Sequence, residues 1–263
     1  MKWLLLDAGN SAVKWALAGS ERPDPSARGA VALEAGFARD LTAALEPQLA
    51  ALPTSTDLRA IGCSVASGAV TDAIAAAVAA LTSEQPVWLQ SEARFEFGGV
   101  TLVNGYREPR QLGPDRWFAM IAARQSFPRN PVVVVCAGTA LTVDSVDASG
   151  RFLGGVIAPG RALMADSLAR GTARLPAKTG QAVEMPDNTF DAIATGVADA
   201  MAGLIERRTR ALAQGRTLPQ LVLAGGGAED LASRLRVSDA VAGIAVEEHL
   251  VLRGLWLRVQ RYR

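Results

Sequence analysis

The chain has 263 residues, 49% of them hydrophobic, which is enough to bury one large core or two of ordinary size and excludes a globally disordered protein. Lys plus Arg number 27 against 26 Asp plus Glu, a formal net charge of +1, so neither a nucleic-acid surface nor a membrane surface is expected. The two cysteines, Cys63 and Cys136, have no metal spacing and make no disulfide framework, which suits a reducing cytoplasm. The apolar run Trp3–Leu6 stops at Asp7, shorter than a signal peptide core, and no stretch is long enough to span a bilayer. A soluble, cytoplasmic protein is expected.

In chain order, residues 2–18 read as a hairpin: Asp7 closes the first strand, Gly9 permits a tight turn and Lys14 follows on the second strand. Residues 20–30, SERPDPSARGA, read as turn and loop. Helical spacing runs from Phe37 to Leu52, a strand from Leu58 to Val65, an Ala-rich helix from Thr71 (as N-cap) to Leu81, and a short strand from Pro86 to Leu89. Residues 91–111 read as loop and short strand, followed by a helix from Trp117 to about Phe127. Val132–Asp144, VVVVCAGTALTVD, is a second strand–turn–strand. Residues 161–171 are helical, Asn188-Thr189 open a long helix to about Gln214, and Gln220–Ala224 is a buried strand. Gly225–Gly227 make a turn, a helix starts at Glu229, and a last helix, carrying His249, runs from Glu247 to the end. His249 and the basic tail Arg253, Arg258, Arg261 and Arg263 are expected to be packing or solvated-face residues. Alternating strands and helices indicate α/β.

The two hairpins match. Ala8-Gly9-Asn10-Ser11 falls on Ala137-Gly138-Thr139-Ala140, and Asp7 on Cys136, about 130 residues apart. Small-residue turns between strands present backbone N–H groups to phosphate oxygens. Asn10, Ser11 and Thr139 add side-chain donors, and Lys14 adds a point charge. Asp7 beside such a turn suits Mg2+, directly or through water. No Walker A or protein-kinase signature is present. A lone D-A-G-N is usually a simple turn, but duplicated phosphate loops with a third glycine turn are the plan of the acetate/sugar kinase–Hsp70–actin superfamily. Resemblance to that superfamily implies two ribonuclease H-like halves, residues 1–116 and 117–263, with a nucleotide cleft between them.

Further motifs narrow this. Besides the two turns, the chain carries Asn104-Gly105-Tyr106, Leu112-Gly113-Pro114-Asp115-Arg116, Gly154-Gly155-Val156-Ile157-Ala158-Pro159-Gly160, Asn188-Thr189 and the Gly225 turn. In this order the set resembles the type III pantothenate kinases, also called the Bvg accessory factor family, across almost the whole chain. The resemblance implies transfer of the ATP γ-phosphoryl group to pantothenate, giving 4′-phosphopantothenate in the first step of coenzyme A synthesis. It implies Asp115 as the catalytic proton acceptor, although an Asp at a helix start is also a natural cap. It implies Asp7, Ala8, Gly9, Asn10, Ser11, Lys14, Gly138 and Thr139 at the ATP phosphates. Tyr106, Gly113, Pro114, Arg116 and Thr189 would contact pantothenate, Thr189 doubling as a helix cap. A homodimer is implied, with the acceptor pocket close to the subunit interface.

The resemblance also implies an activating monovalent cation, K+ or NH4+, at position 136, where many family members have Asp. A neutral thiol at Cys136 is a poor ligand for a hard cation, so loss, weakening and replacement by backbone carbonyls stay open. Two other functions stay open as well: a kinase for another small hydroxylated acceptor, and a non-catalytic nucleotide-binding accessory protein.

Overall fold

The computed structural model describes residues 1–19, 27–53, 56–176, 180–215 and 217–261. It divides into two compact units, Met1–Ala122 with Leu250–Arg263, and Ala123–His249. The division thus falls inside a helix rather than at 116/117, and the C-terminal segment belongs with the first unit.

In the first unit the strands are β1 (Lys2–Ala8), β2 (Ala12–Ala18), β3 (Arg28–Ala32), β4 (Leu58–Ser64) and β5 (Val87–Trp88). They form one sheet in the order β3-β2-β1-β4-β5. β2 runs antiparallel to both β1 and β3, whereas β4 runs parallel to β1 and to β5. Central β1 is apolar on both faces, with Leu4, Leu5 and Leu6 fully buried, as a doubly covered strand requires. Helices α1 (Phe37–Ala50) and α2 (Gly68–Thr82) supply Leu41, Leu45, Ile74 and Val78 to its core. A two-stranded ribbon, β6 (Arg94–Phe97) and β7 (Val100–Val103), follows. Then come a 3-10 turn at Pro109–Gln111 and α3 (Pro114–Ser126), within which the division into units falls.

The second unit repeats the plan. Strands β8 (Val132–Ala137), β9 (Ala140–Val146), β10 (Phe152–Pro159), β11 (Gln220–Ala224) and β12 (Gly243–Val246) form a sheet in the order β10-β9-β8-β11-β12. The same alternation of antiparallel and parallel pairs recurs. Helices α4 (Arg161–Gly171), α5 (Thr189–Leu212) and α6 (Ala228–Arg234) belong to this unit, and Ile193, Val197, Met201 and Ile205 bury one face of α5 against the sheet. Arg124 closes the connection into β8: its guanidinium donates to the carbonyls of Phe127 (3.3 Å), Pro128 (2.7 Å), Asn130 and Ala148 (3.3 Å). The final helix, α7 (Leu250–Gln260), packs in the first unit, with Gly254 close against the Phe118 carbonyl of α3.

Several expectations are corrected. Residues 28–30 are the start of β3 rather than loop, an edge strand too short and exposed to show periodicity; residues 20–26 lie outside the described residues. The cap of α2 is Ser67, whose Oγ accepts from the Val70 amide at 3.4 Å, while Thr71 sits inside the first turn. Asn188, not Thr189, caps α5, accepting from the Asp191 amide at 3.0 Å. The last helix begins at Leu250, so His249 precedes it, in a left-handed conformation with φ 56°. Arg258 and Arg261 are not merely solvated, since both pair with Glu92; Arg263 lies outside the described residues. Among the described residues no helix is long and apolar enough to cross a membrane.

Candidate active site

The first unit gathers its chemistry at the carboxyl ends of two parallel strands. Asp7, the penultimate residue of β1, pairs in register with Cys63 near the end of β4, and across the antiparallel side with Lys14 of β2. Ala8, Gly9, Asn10 and Ser11 make the turn, closed by the Gly9 amide donating to the Ala12 carbonyl at 3.0 Å. Asn10 and Ser11 are exposed at its tip, whereas Asp7 is buried. Ligands in α/β sheets approach at this end of the strands.

Asp115 sits in the first turn of α3. The helix starts one residue earlier than Asp115, at Pro114, which suits the first helical position because no partner for its missing N–H is needed there. Asp115 is therefore not the residue before the helix, as a cap would be. Its carboxylate lies over Gly113, where an added Cβ would stand 2.6 Å from Oδ1, so only glycine leaves room for this rotamer. Burial raises the Asp115 pKa, opposed by hydrogen bonds from the Arg116 amide and its own amide and by the Arg116 guanidinium.

Burial likewise pushes Asp7 up to about 6; the Lys14 ammonium pulls it down, and the charge of Asp115 pushes it further up. Buried Cys63 is held well above the usual thiol range, chiefly by desolvation and then by Asp7 and Asp115. Its thiol stays neutral beside the two carboxylates.

The pKa of Asp7 has a consequence for stability. Its folded value of about 6 exceeds its ordinary 3.8, so between roughly pH 4 and 6 the folded chain binds a proton that the unfolded chain has released. The associated stability is fully present below about pH 4 and is lost as pH rises through about 6. Above that, ionised Asp7 costs on the order of 2–3 kcal/mol. Asp7→Asn is expected to be more stable than the wild type at pH 7.5, with the gap shrinking to about a third by pH 4.5. Denaturant melts at the two pH values measure this, and a gap that is independent of pH would contradict it.

Arg116 is buried, and its Nη1 donates to the Tyr106 hydroxyl at 3.4 Å, with the guanidinium carbon 5.9 Å from the Tyr106 ring centroid. Tyr106, Gly113, Pro114, Asp115 and Arg116 thus belong to one neighbourhood of the first unit. The second unit presents the other turn, with Gly138 and Thr139 exposed at its tip and the Gly138 amide donating to the Ala140 carbonyl at 3.1 Å. This turn is one residue shorter than the first. Asp7 faces Lys14, but Cys136 faces Thr142. The residue answering to Lys14 is therefore Thr142, one position earlier than the sequence alignment of the turns puts it.

Gly160 and Gly225 both press on the second turn, a role missed in the sequence. An added Cβ at Gly160 would stand 2.1 Å from the Gly138 carbonyl oxygen, and one at Gly225 2.5 Å from that of Ala137. The signal was present in two glycines that each follow a strand end. Thr189 is exposed at the start of α5 and lines a cleft of about 800 Å3 with Met164, Leu168, Ile193 and Val197. Cys136 is half-buried, and a soft thiol does not fit a hard monovalent cation. Asp7 does fit Mg2+, which commonly takes one or two carboxylates together with substrate phosphates.

The repeated sheet order defines an actin-like ATPase fold, and solved structures agree. The chain is similar to component A of (R)-2-hydroxyglutaryl-CoA dehydratase from Acidaminococcus fermentans (TM-score 0.53, 17% identity, all of both chains). It is equally similar to the activator of 2-hydroxyisocaproyl-CoA dehydratase from Clostridium difficile (TM-score 0.52, 15% identity, 100% of this chain and 98% of that one). Sequence relationships define the family. The family model for type III pantothenate kinase matches residues 3–211. Type III pantothenate kinases of Chromobacterium violaceum (41% identity, 96% of this chain and 97% of that protein) and Laribacter hongkongensis (43%, 96% of each) are relatives. The chain belongs to the type III pantothenate kinase family.

Proposed function

We propose that this enzyme carries out its family's reaction with Asp115 as the group that accepts the proton of the attacking hydroxyl. The reaction is ATP-dependent phosphorylation of pantothenate to 4′-phosphopantothenate, the first step of coenzyme A biosynthesis. The observation that supports the assignment of roles is that Asp115 sits in the first turn of α3 directly before buried Arg116, whose guanidinium donates to the Tyr106 hydroxyl, in the same unit as the Asp7 turn. Burial raises the Asp115 carboxyl above the ordinary carboxylate value, which strengthens its ionised form as a base. Since phosphoryl transfer is largely dissociative, orientation and charge neutralisation supply most of the acceleration.

Ala8, Gly9, Asn10, Ser11 and Lys14 are assigned to phosphate oxygens in the first turn, and Gly138 and Thr139 in the second. Asp7 would hold Mg2+, which when bound neutralises phosphate charge. Arg116 suits the pantothenate carboxylate, with Tyr106, Gly113, Pro114 and Thr189 as the other acceptor contacts. A homodimer is part of the proposal. Phe190 on α5 and Leu163 on α4 are exposed apolar residues that suit a second copy, and sedimentation of the purified protein tests it.

Mass-spectrometric detection of phosphopantothenate from Mg-ATP and pantothenate tests the function, with potassium, ammonium and sodium buffers run in parallel. Equal product in all three is expected from a thiol at Cys136. Product only in potassium and ammonium would show that other oxygen donors hold the cation. Folded protein that binds ATP and makes no product in any buffer would overturn the assignment.

A further inference from the structure

We infer that Asn104 is a positioning residue for the acceptor end of the site, acting through Tyr106; the inference rests on the proposed role of Tyr106 and Arg116. Asn104 follows β7 directly and is buried. Its Nδ2 donates to the carbonyls of Glu92 (3.2 Å) and Pro109 (3.1 Å), and its Oδ1 accepts from the Tyr106 amide at 3.0 Å. The Asn104 amide itself donates to the Ala93 carbonyl at 2.9 Å. One side chain therefore ties together the segment before β6, the Tyr106 loop and the 3-10 turn that leads into Gly113.

The anchor at the other end of these bonds is firm. Ser91 Oγ donates to the Leu112 carbonyl at 2.6 Å, one residue before Gly113. Glu92 pairs with Arg258 of α7 and, at 3.3 Å, with Arg261 just beyond that helix; the Arg261 guanidinium carbon also lies 5.5 Å from the Phe95 ring centroid. Against this anchor Asn104 fixes the Tyr106 backbone, and so the distance at which the Tyr106 hydroxyl meets Arg116. The chemistry demands a carboxamide, with two donors and one acceptor on one short stem. Aspartate keeps the acceptor but faces two carbonyls with lone pairs. Alanine leaves the Tyr106 amide and both carbonyls without these partners.

The test compares wild-type enzyme with Asn104→Asp, Asn104→Ala, Tyr106→Ala and the double variant Asn104→Ala/Tyr106→Ala. Mass spectrometry reads phosphopantothenate and thermal melts check folding. Either Asn104 variant is expected to raise KM for pantothenate about tenfold or more while KM for ATP stays within about twofold. In the Tyr106→Ala background, Asn104→Ala is expected to add less than about twofold, because the two act as one unit. Asn104→Asp, close in size to the native residue, keeps the test usable if Asn104→Ala does not fold. An unchanged KM for pantothenate in folded variants overturns the inference. So do losses that multiply with those of Tyr106→Ala, or equal losses towards both substrates. Wild-type enzyme that binds ATP but makes no phosphopantothenate overturns the functional assignment itself, a result distinguishable from any of these.

Discussion

Asp115→Asn is expected to lower turnover by about 10²- to 10⁴-fold, the usual contribution of a positioned proton acceptor, while ATP binding is retained. The amide keeps the size and the hydrogen bonds that seat the side chain over Gly113, but it cannot accept the proton. Calorimetric titration with Mg-ATP separates binding from chemistry, and product formation gives turnover. Because the Asp115 carboxylate is raised by burial, the wild-type acid limb should lie above the ordinary carboxylate range, with activity falling as pH drops through it. Asp7, at about 6, contributes to the same limb, raised chiefly by its own burial and to a lesser degree by the charge of Asp115. Removing the charge at 115 takes away one of the influences that raise Asp7, so the residual activity of the variant should show its acid limb at lower pH. Turnover within threefold of wild type would remove Asp115 from the chemistry and favour a role as a helix-start residue. Full retention of nucleotide-dependent function without any wild-type turnover would favour the accessory-protein alternative.

Gly160→Ala is expected to damage both stability and ATP use, although position 160 has an ordinary backbone conformation with φ −75° and ψ 178°. The problem is space. The new Cβ would stand 2.1 Å from the Gly138 carbonyl oxygen and 2.7 Å from that of Thr139, and backbone atoms cannot swing aside as a flexible side chain can. The second turn must move by about 1 Å, at an overpacking cost of about 2–3 kcal/mol. A lower melting temperature and a raised KM for ATP are expected, with the KM for pantothenate much less affected. Gly203→Ala in α5 is the control: nothing lies within 4 Å of its added Cβ, so it should stabilise by about 0.5–1 kcal/mol through helix propensity. Equal, mild effects from both substitutions would show that Gly160 does not support the turn.

Much of the protein is legible one residue after another. The two hairpins are local structures, written in runs such as Leu4–Leu6 and Val132–Val135, with small residues at the turns. Their likeness to each other announces the duplication before any packing is known. The edge strands β3 and β12 are not legible, because short, partly exposed strands lack alternation and owe their state to a neighbour's unpaired backbone. Caps slip by one to four residues for a related reason. Ser67 and Thr71 are both good capping types, and only the path of the chain decides which hydroxyl meets a free amide.

Residue type and order were enough to read the α/β class, the repeat, the family and Asp7, Lys14, Asp115 and Arg116 as residues with suitable chemistry. Tertiary structure alone decided their surroundings. It paired Asp7 with Cys63 through a parallel ladder between strands about 55 residues apart in the chain, and it let Asp115 act on the charge of Asp7. It turned Asn104 into the knot of the Tyr106 loop, made Gly160 a spacer for the second turn and returned the last helix to the first unit. The physical reason is common to all of these. Residue type sets what a group is able to donate, accept or hold, but burial, register and close approach are properties of segments distant in the chain, and they arise only when those segments pack.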